Sequence, residues 1–330
     1  MSLAKKNLTL DQLKSGVLTR DRLILSRAIT LCESQLLEDQ QMATQLIDSI
    51  LSHTGKSLRI GVTGIPGVGK STFIEAFGLF LLKKGHRIAV LSIDPTSKLN
   101  HGSILGDKTR MNELSQNRNA FIRPSPNSGH MGGISEKTRE NILLCEAAGF
   151  DVILIETVGV GQSEVAVKDL SDFLLLLMIS GAGDELQGIK RGLMELADMI
   201  LVNKSDGKNI EQSKQTKIVF EQALHYFPNN INQWKIPVET ISSRQPTNLD
   251  QVWQYINDYI TLTKTNDYFY NNRKDQNLQW FHEGLSNQLL KHIFQDPKLS
   301  VKKKEIEQAI QQDKKSVASG IEALLKYAFP

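Results

Sequence analysis

Cysteine is scarce in this chain: Cys32 and Cys145 are its two thiols, far apart in sequence and with no C-x-x-C pair. They read as reduced, structural thiols rather than as a metal or redox site. Long hydrophobic runs are missing as well. The stretch from Phe173 to Ile179 is strand-sized, well short of the roughly twenty apolar residues that cross a bilayer, so a membrane partner is not expected. Charge of one sign is nearly balanced, with 39 Lys and Arg against 36 Asp and Glu and a net charge of +3. That is too little to imply a nucleic-acid partner. The first residues mix Lys5, Lys6, Asp11, Arg20 and Asp21 without an apolar signal core, and acidic residues fit a transit peptide poorly, so the expected compartment is the cytoplasm. What remains is ordinary: 330 residues, 40% hydrophobic and 23% charged, enough for one large α/β domain with additions or for two domains.

Against that plain background one stretch stands out. Gly64-Ile65-Pro66-Gly67-Val68-Gly69-Lys70-Ser71-Thr72 fits G-x-x-x-x-G-K-[ST], follows the apolar run Leu58 to Thr63, and precedes a helix-like stretch from Ser71 to Lys84. Strand, glycine loop and helix come in the order that a phosphate cradle needs. Glycines let successive backbone N–H groups turn toward a phosphate chain, at a helix N-terminus whose dipole favours negative charge. Lys70 would reach the outer phosphates, and the Ser71 hydroxyl would ligate Mg²⁺. The plain alternative is a glycine-rich turn between a strand and a helix.

Before this loop, apolar residues from Leu13 to Leu51 recur mostly at three- and four-residue spacing, which predicts a helical arm over 1–56. After it, His86 to Pro95 reads as a strand ending at Asp94. Asp151 to Thr157, Phe173 to Ser180, Asp198 to Asn203 and Lys235 to Ile241 are further continuous apolar runs, as expected of strands buried on both faces of a parallel sheet. They alternate with helical stretches over Gly132–Ala148, Leu186–Leu196 and Ile210–His225. The predicted fold is α/β, a doubly wound, mostly parallel sheet over 57–262, with a helical extension over 263–330. Composition turns polar from Asn266 to Gln279 before helical spacing returns. Ligands of such sheets bind outside the carboxyl ends of the strands, where Asp94, Glu156 and Asn203 fall.

Asn203-Lys204-Ser205-Asp206 fits N-K-x-D after a buried strand. The two Asp206 oxygens can accept from the guanine ring N–H and its exocyclic amine. Adenine has no matching pair of donors, and a carboxylate buried against it would stay unsatisfied. A solvated strand-to-helix turn is the alternative. Glu156-Thr157-Val158-Gly159 takes the position of D-x-x-G, with Glu for Asp; its carboxylate would hold the Mg²⁺ shell and the Gly159 N–H would sense the γ-phosphate. The extra strand ending at Asp94 points to the P-loop branch that includes signal-recognition and metal-insertion GTPases.

Ile93 to Ser97, Gly106 to Met111, Phe121 to Pro126 and Glu156 to Glu164 together closely resemble the methylmalonyl-CoA mutase-associated GTPases, the MeaB/ArgK family. The resemblance covers nearly the whole chain and is densest from Arg59 to Asp206. It implies a homodimeric GTPase, using GTP/GDP and Mg²⁺, that acts as a chaperone for adenosylcobalamin-dependent methylmalonyl-CoA mutase, controlling cofactor delivery and protecting or reactivating the enzyme. It also implies phosphates on Gly64 to Thr72, guanine on Asn203, Lys204 and Asp206, and a further base contact from Ser242-Ser243-Arg244, where the family more often reads Ser-Ala-Arg. Asp94, Asp107 and Glu156 resemble the family's carboxylates around Mg²⁺ or the attacking water, although a helix cap explains Asp107 equally well. Gly181 to Lys190 resembles an additional switch loop. Val160 stands where Ras-type enzymes carry their water-positioning glutamine, so slow intrinsic hydrolysis is expected, with Gln162 available if its loop moves. The alternatives are a transport-linked P-loop kinase and a metal-insertion GTPase for another enzyme.

Overall fold

Apolar runs without polar alternation form the strands, because helices cover both faces of the sheet they build. The computed structural model describes residues 8–93, 111–124, 131–157, 164–181, 191–227, 232–295 and 297–329. Its strands are β1 (Leu58–Gly64), β2 (Ile88–Ile93), β3 (Ala120–Pro124), β4 (Val152–Thr157), β5 (Phe173–Ile179), β6 (Met199–Asn203) and β7 (Val238–Thr240). They form one sheet in the order β3-β2-β4-β1-β5-β6-β7, and every neighbouring pair is parallel. The doubly wound α/β expectation holds, with the sheet wholly parallel.

Helices are α1 (Leu10–Leu18), α2 (Arg22–Cys32), α3 (Leu37–Ile50), α4 (Lys70–Lys83), α5 (Asn112–Gln116), α6 (Met131–Ala147), α7 (Glu164–Lys168), α8 (Arg191–Leu196), α9 (Ile210–Leu224), α10 (Leu249–Thr265), α11 (Tyr268–Gln295), α12 (Pro297–Gln311) and α13 (Val317–Ala328). Side chains alternate across a strand, so β5 feeds two cores. Leu175 and Leu177 join Phe73, Phe77 and Val252 on the face of α4 and α10, while Leu176 and Met178 join Met194 and Phe220 on the face of α8 and α9. Among the described residues no helix is long and apolar enough to cross a membrane.

Three elements depart from the sequence reading. β3 has only five residues and ends in Pro124, and so short a run at the sheet edge gives little periodicity to read. β7 keeps only Val238 to Thr240 of the run from Lys235, since Pro237 has no N–H for the ladder. The polar stretch from Asn266 breaks the helix at Asn266 and Asp267 alone; from Tyr268 it is helical again as α11.

At the amino end of the sheet, charged groups are buried in pairs. Arg59 Nε donates to Glu146 Oε1 at 2.9 Å, and Glu146 Oε2 accepts from Gly55 N at 2.7 Å. Arg273, in the first turns of α11, grips Asp172 with Nε at 2.7 Å and Nη2 at 2.6 Å. The same guanidinium donates to the carbonyls of Gly55 and Ser57. Asp172 Oδ2 also accepts from the Arg59 backbone N–H at 2.8 Å, so the start of β1 and the root of α11 share one carboxylate. The arm is tied on separately. Arg123 of β3 pairs with Glu33 at the end of α2, and Asn141 of α6 donates to the same Glu33 at 3.1 Å. Burial pushes the Glu33 carboxyl up, and Arg123 and Asn141 oppose that shift.

The chain divides into two compact units, Met1–Lys274 and Asp275–Pro330. In the second, α12 and α13 form a hairpin in which Gly320 lies against Ile306 and Ile310; a Cβ there would come within 2.8 Å of Ile310. Its helices also leave Phe281, Leu285, Ile321, Leu325 and Phe329 exposed.

Candidate nucleotide site

β1 ends at Gly64, and the chain turns through Ile65, Pro66, Gly67 and Val68 to enter α4 at Gly69. Two glycines are required by geometry. Gly64 has φ +147° and packs so close to β5 that a Cβ would sit 2.3 Å from the Leu177 carbonyl oxygen; Gly69 has φ +95° and faces the Asn203 amide. Only glycine takes such backbone without strain. The loop thus places the N-terminus of α4, with its positive dipole end, at the carboxyl end of the sheet.

Lys70 folds back over this loop. It is buried, 8% exposed, and its Nζ donates to the carbonyls of Gly64 at 2.8 Å and Ile65 at 3.2 Å. Ser71 Oγ donates to Glu156 Oε1 at 2.7 Å, joining the first turn of α4 to the end of β4. Register explains the meeting: Val62 of β1 pairs with Glu156 of β4, so the carboxylate stands beside the strand that feeds the loop. Thr72 is exposed at the next helical position. A hydroxyl and a carboxylate in contact form a hard-oxygen pair, which fits Mg²⁺ in the donor chemistry required. Among the described residues no group of three or more His, Cys, Asp or Glu side chains gathers as a metal site. Asp94 and Asp107, the other two expected carboxylates, lie outside the described residues, as do Gly159, Gln162 and 182–190 of the expected switch loop.

On the other side of the loop β6 delivers Asn203, which is 1% exposed. Its Nδ2 donates to the Val68 carbonyl at 2.9 Å, and its Oδ1 accepts from Ser243 Oγ at 2.8 Å and Ser243 N at 3.2 Å. Lys204, with φ +60°, reaches back so that Nζ donates to the Gly67 carbonyl at 2.8 Å. Asp206 is half-buried, and its Oδ2 accepts from Ser242 Oγ at 2.5 Å. Phosphate loop, N-K-x-D segment and the Ser242-Ser243 turn therefore form one connected surface, while Arg244 is exposed at its rim. Sequence reasoning missed Thr247. Its Oγ1 accepts from Ser242 N at 3.1 Å and its own N–H donates to the Ser242 carbonyl at 3.3 Å, closing the turn that holds Asp206. The only signal was a Ser/Thr-rich turn after a strand, which is common.

A family model described as methylmalonyl-CoA mutase-associated GTPase MeaB matches residues 25–298. The chain belongs to this MeaB family. It is therefore a P-loop GTPase. Among its relatives, GTPase ArgK of Escherichia coli K12 is 46% identical over 274 residues, covering 83% of each chain. The mouse protein named methylmalonic aciduria type A homolog, mitochondrial, is 40% identical over 305 residues, covering 89% of this chain and 74% of the relative. A crystal structure described as LAO/AO transport system kinase superposes over the full length of both chains with a TM-score of 0.77 and 35% identity.

Proposed function

We propose that this MeaB-family GTPase is a switch and chaperone for adenosylcobalamin-dependent methylmalonyl-CoA mutase, gating cofactor loading and protecting or reactivating the mutase. The mutase reading rests on the family match over residues 25–298, and the observation that carries the switch is the 2.7 Å hydrogen bond from Ser71 to Glu156, which links the phosphate loop directly to the end of β4. In this reading Gly64 to Thr72 hold the phosphates, Asn203, Lys204 and Asp206 with Ser242 to Arg244 hold guanine, and Ser71 and Glu156 hold Mg²⁺ together with Asp94 and Asp107. The ion, when bound, neutralises charge developing on the transferred phosphoryl group. Lys70 then exchanges the carbonyls of Gly64 and Ile65 for phosphate oxygens, and Asp206 fixes the base. With Val160 after Gly159, hydrolysis is slow until a partner completes the site.

Exposed Phe281, Leu285, Ile321 and Leu325 support a homodimer built on the extension over 263–330, beside an arm over 1–56 and a GTPase domain over 57–262. The relatives named GTPases and the carboxylate at Asp206 weigh against the kinase alternative.

Co-elution with the mutase tests the proposal. The chain loaded with GDP or with a non-hydrolysable GTP analogue is expected to migrate with the enzyme in a nucleotide-dependent manner, at a mass that contains two copies of the chain. Failure to associate in either nucleotide state overturns it.

A further inference from the structure

Near the carboxyl ends of four strands, Pro124 of β3, Ser92 of β2, Glu156 of β4 and Val62 of β1 are successive partners in the parallel register. Ile88 and Val90 of β2 and Leu154 of β4 belong to the core on the α4 face. Side chains alternate along a strand, so Ser92, two residues beyond Val90, and Glu156, two beyond Leu154, share that face. Both are buried, at 3% and 5% exposure. The rest of β2 is apolar, Ile-Ala-Val-Leu before Ser92 and Ile93 after it, yet the Ser92 hydroxyl makes no hydrogen bond among the described residues. A buried hydroxyl without a partner is costly where an alanine would pack freely, and such a group calls for a ligand-side explanation. The neighbouring carboxylate offers one. Ser71 donates to Glu156 from the β1 side, and Ser92 flanks Glu156 on the opposite side, on β2. Mg²⁺ loses its water reluctantly and keeps several waters where proteins hold it, so a group flanking its carboxylate meets the hydration shell and not the ion.

We propose that Ser92 is a positioning residue of the Mg²⁺ site: its Oγ accepts a hydrogen bond from a water of the ion's hydration shell, a partner it gains only when metal and nucleotide are bound. The inference rests on the assignment of Mg²⁺ to Ser71 and Glu156 above. One substitution then acts oppositely in two states. Ser92→Ala relieves the unmatched hydroxyl of the free chain and removes one support from the loaded site.

Three measurements on the full chain read both states: calorimetry of MgCl₂ into the GDP complex, GDP binding in EDTA, and thermal unfolding without nucleotide or metal. Ser92→Ala is expected to weaken Mg²⁺ by about three- to tenfold, the loss of one hydrogen bond. GDP affinity in EDTA should stay within about twofold, and the unfolding midpoint should lie at or above that of the wild type. Ser92→Cys, close to serine in size but a weak acceptor, should weaken Mg²⁺ as alanine does. Unchanged Mg²⁺ affinity in both variants overturns the proposal. So does weakening by alanine alone, which assigns the effect to lost packing, or an equal loss of GDP affinity in EDTA. A midpoint lowered in both variants overturns it too, because the hydroxyl would then already be paired in the free chain. A wild-type GDP complex that takes up no Mg²⁺ overturns instead the metal assignment beneath it.

Discussion

The two ends of β1 handle charge in opposite ways. At its start, Arg59, Glu146, Asp172 and Arg273 meet in buried ion pairs, with Asp172 and Glu146 side chains 1% and 0% exposed. Beyond its carboxyl end, Lys70 and Lys204 rest on loop carbonyls of Gly64, Ile65 and Gly67, and Ser71 rests on Glu156. Charge matched to charge in a dry site is a commitment, since removing either partner strands the other. Lys70, held in part by neutral loop carbonyls, can change partners when an anion arrives, because a charge-assisted bond to phosphate is stronger. We propose that the difference separates groups that hold this fold from groups that hold its ligand.

Substitution tests whether that division is real. Arg273→Ala is expected to have the largest effect, destabilising the chain by about 3–5 kcal/mol in urea unfolding, because the buried Asp172 loses its countercharge. In the protein that remains folded, GDP affinity should stay within about twofold, since no phosphate or base bond is lost. Lys70→Ala should do the reverse. Losing two charge-assisted contacts of about 1.5 kcal/mol each weakens GTP by about a hundredfold or more, with the unfolding midpoint nearly unchanged. If Lys70→Ala unfolds the protein, or Arg273→Ala abolishes binding, the comparison fails. Asp206→Ala is smaller still, about a tenfold loss for GDP with ADP binding unaltered, read by competition calorimetry. The finest probe is thiol labelling. Burial pushes the Cys145 thiol well above its ordinary range, and the neighbouring Glu146 adds to the shift, so iodoacetamide at neutral pH should leave Cys145 unlabelled until the amino end opens.

The same contrast explains what the sequence made legible. The expected ligand end is written in contiguous stretches, Gly64 to Thr72 and Asn203 to Asp206, as a loop that wraps one phosphate chain and a turn that faces one base would require. The structural end is assembled from residues 59, 146, 172 and 273, separated by as many as 214 positions from Arg59 to Arg273, the difference of their numbers, and no local pattern announces such pairs. Parallel strands were readable where they were long and buried, as at Phe173 to Ile179. The edge strand at Ala120 and the helix at Tyr268 were not, since a short edge and a polar helix surface carry little periodicity. Within the site, Asn203 and Asp206 were readable as types. That Asn203 ties Val68 to Ser243, and that Thr247 closes the turn on Ser242, needed the fold.

The central claim, a guanine-nucleotide switch completed by a partner, is tested most directly by GTP turnover. Phosphate release should be measured for the chain alone and with adenosylcobalamin-dependent methylmalonyl-CoA mutase at saturating concentration. A slow basal rate that the mutase raises by about tenfold or more is the predicted result, a threshold well below the roughly 10³–10⁵ that a partner-supplied catalytic group can contribute. Rapid hydrolysis by the isolated chain, unchanged by the mutase, would contradict it.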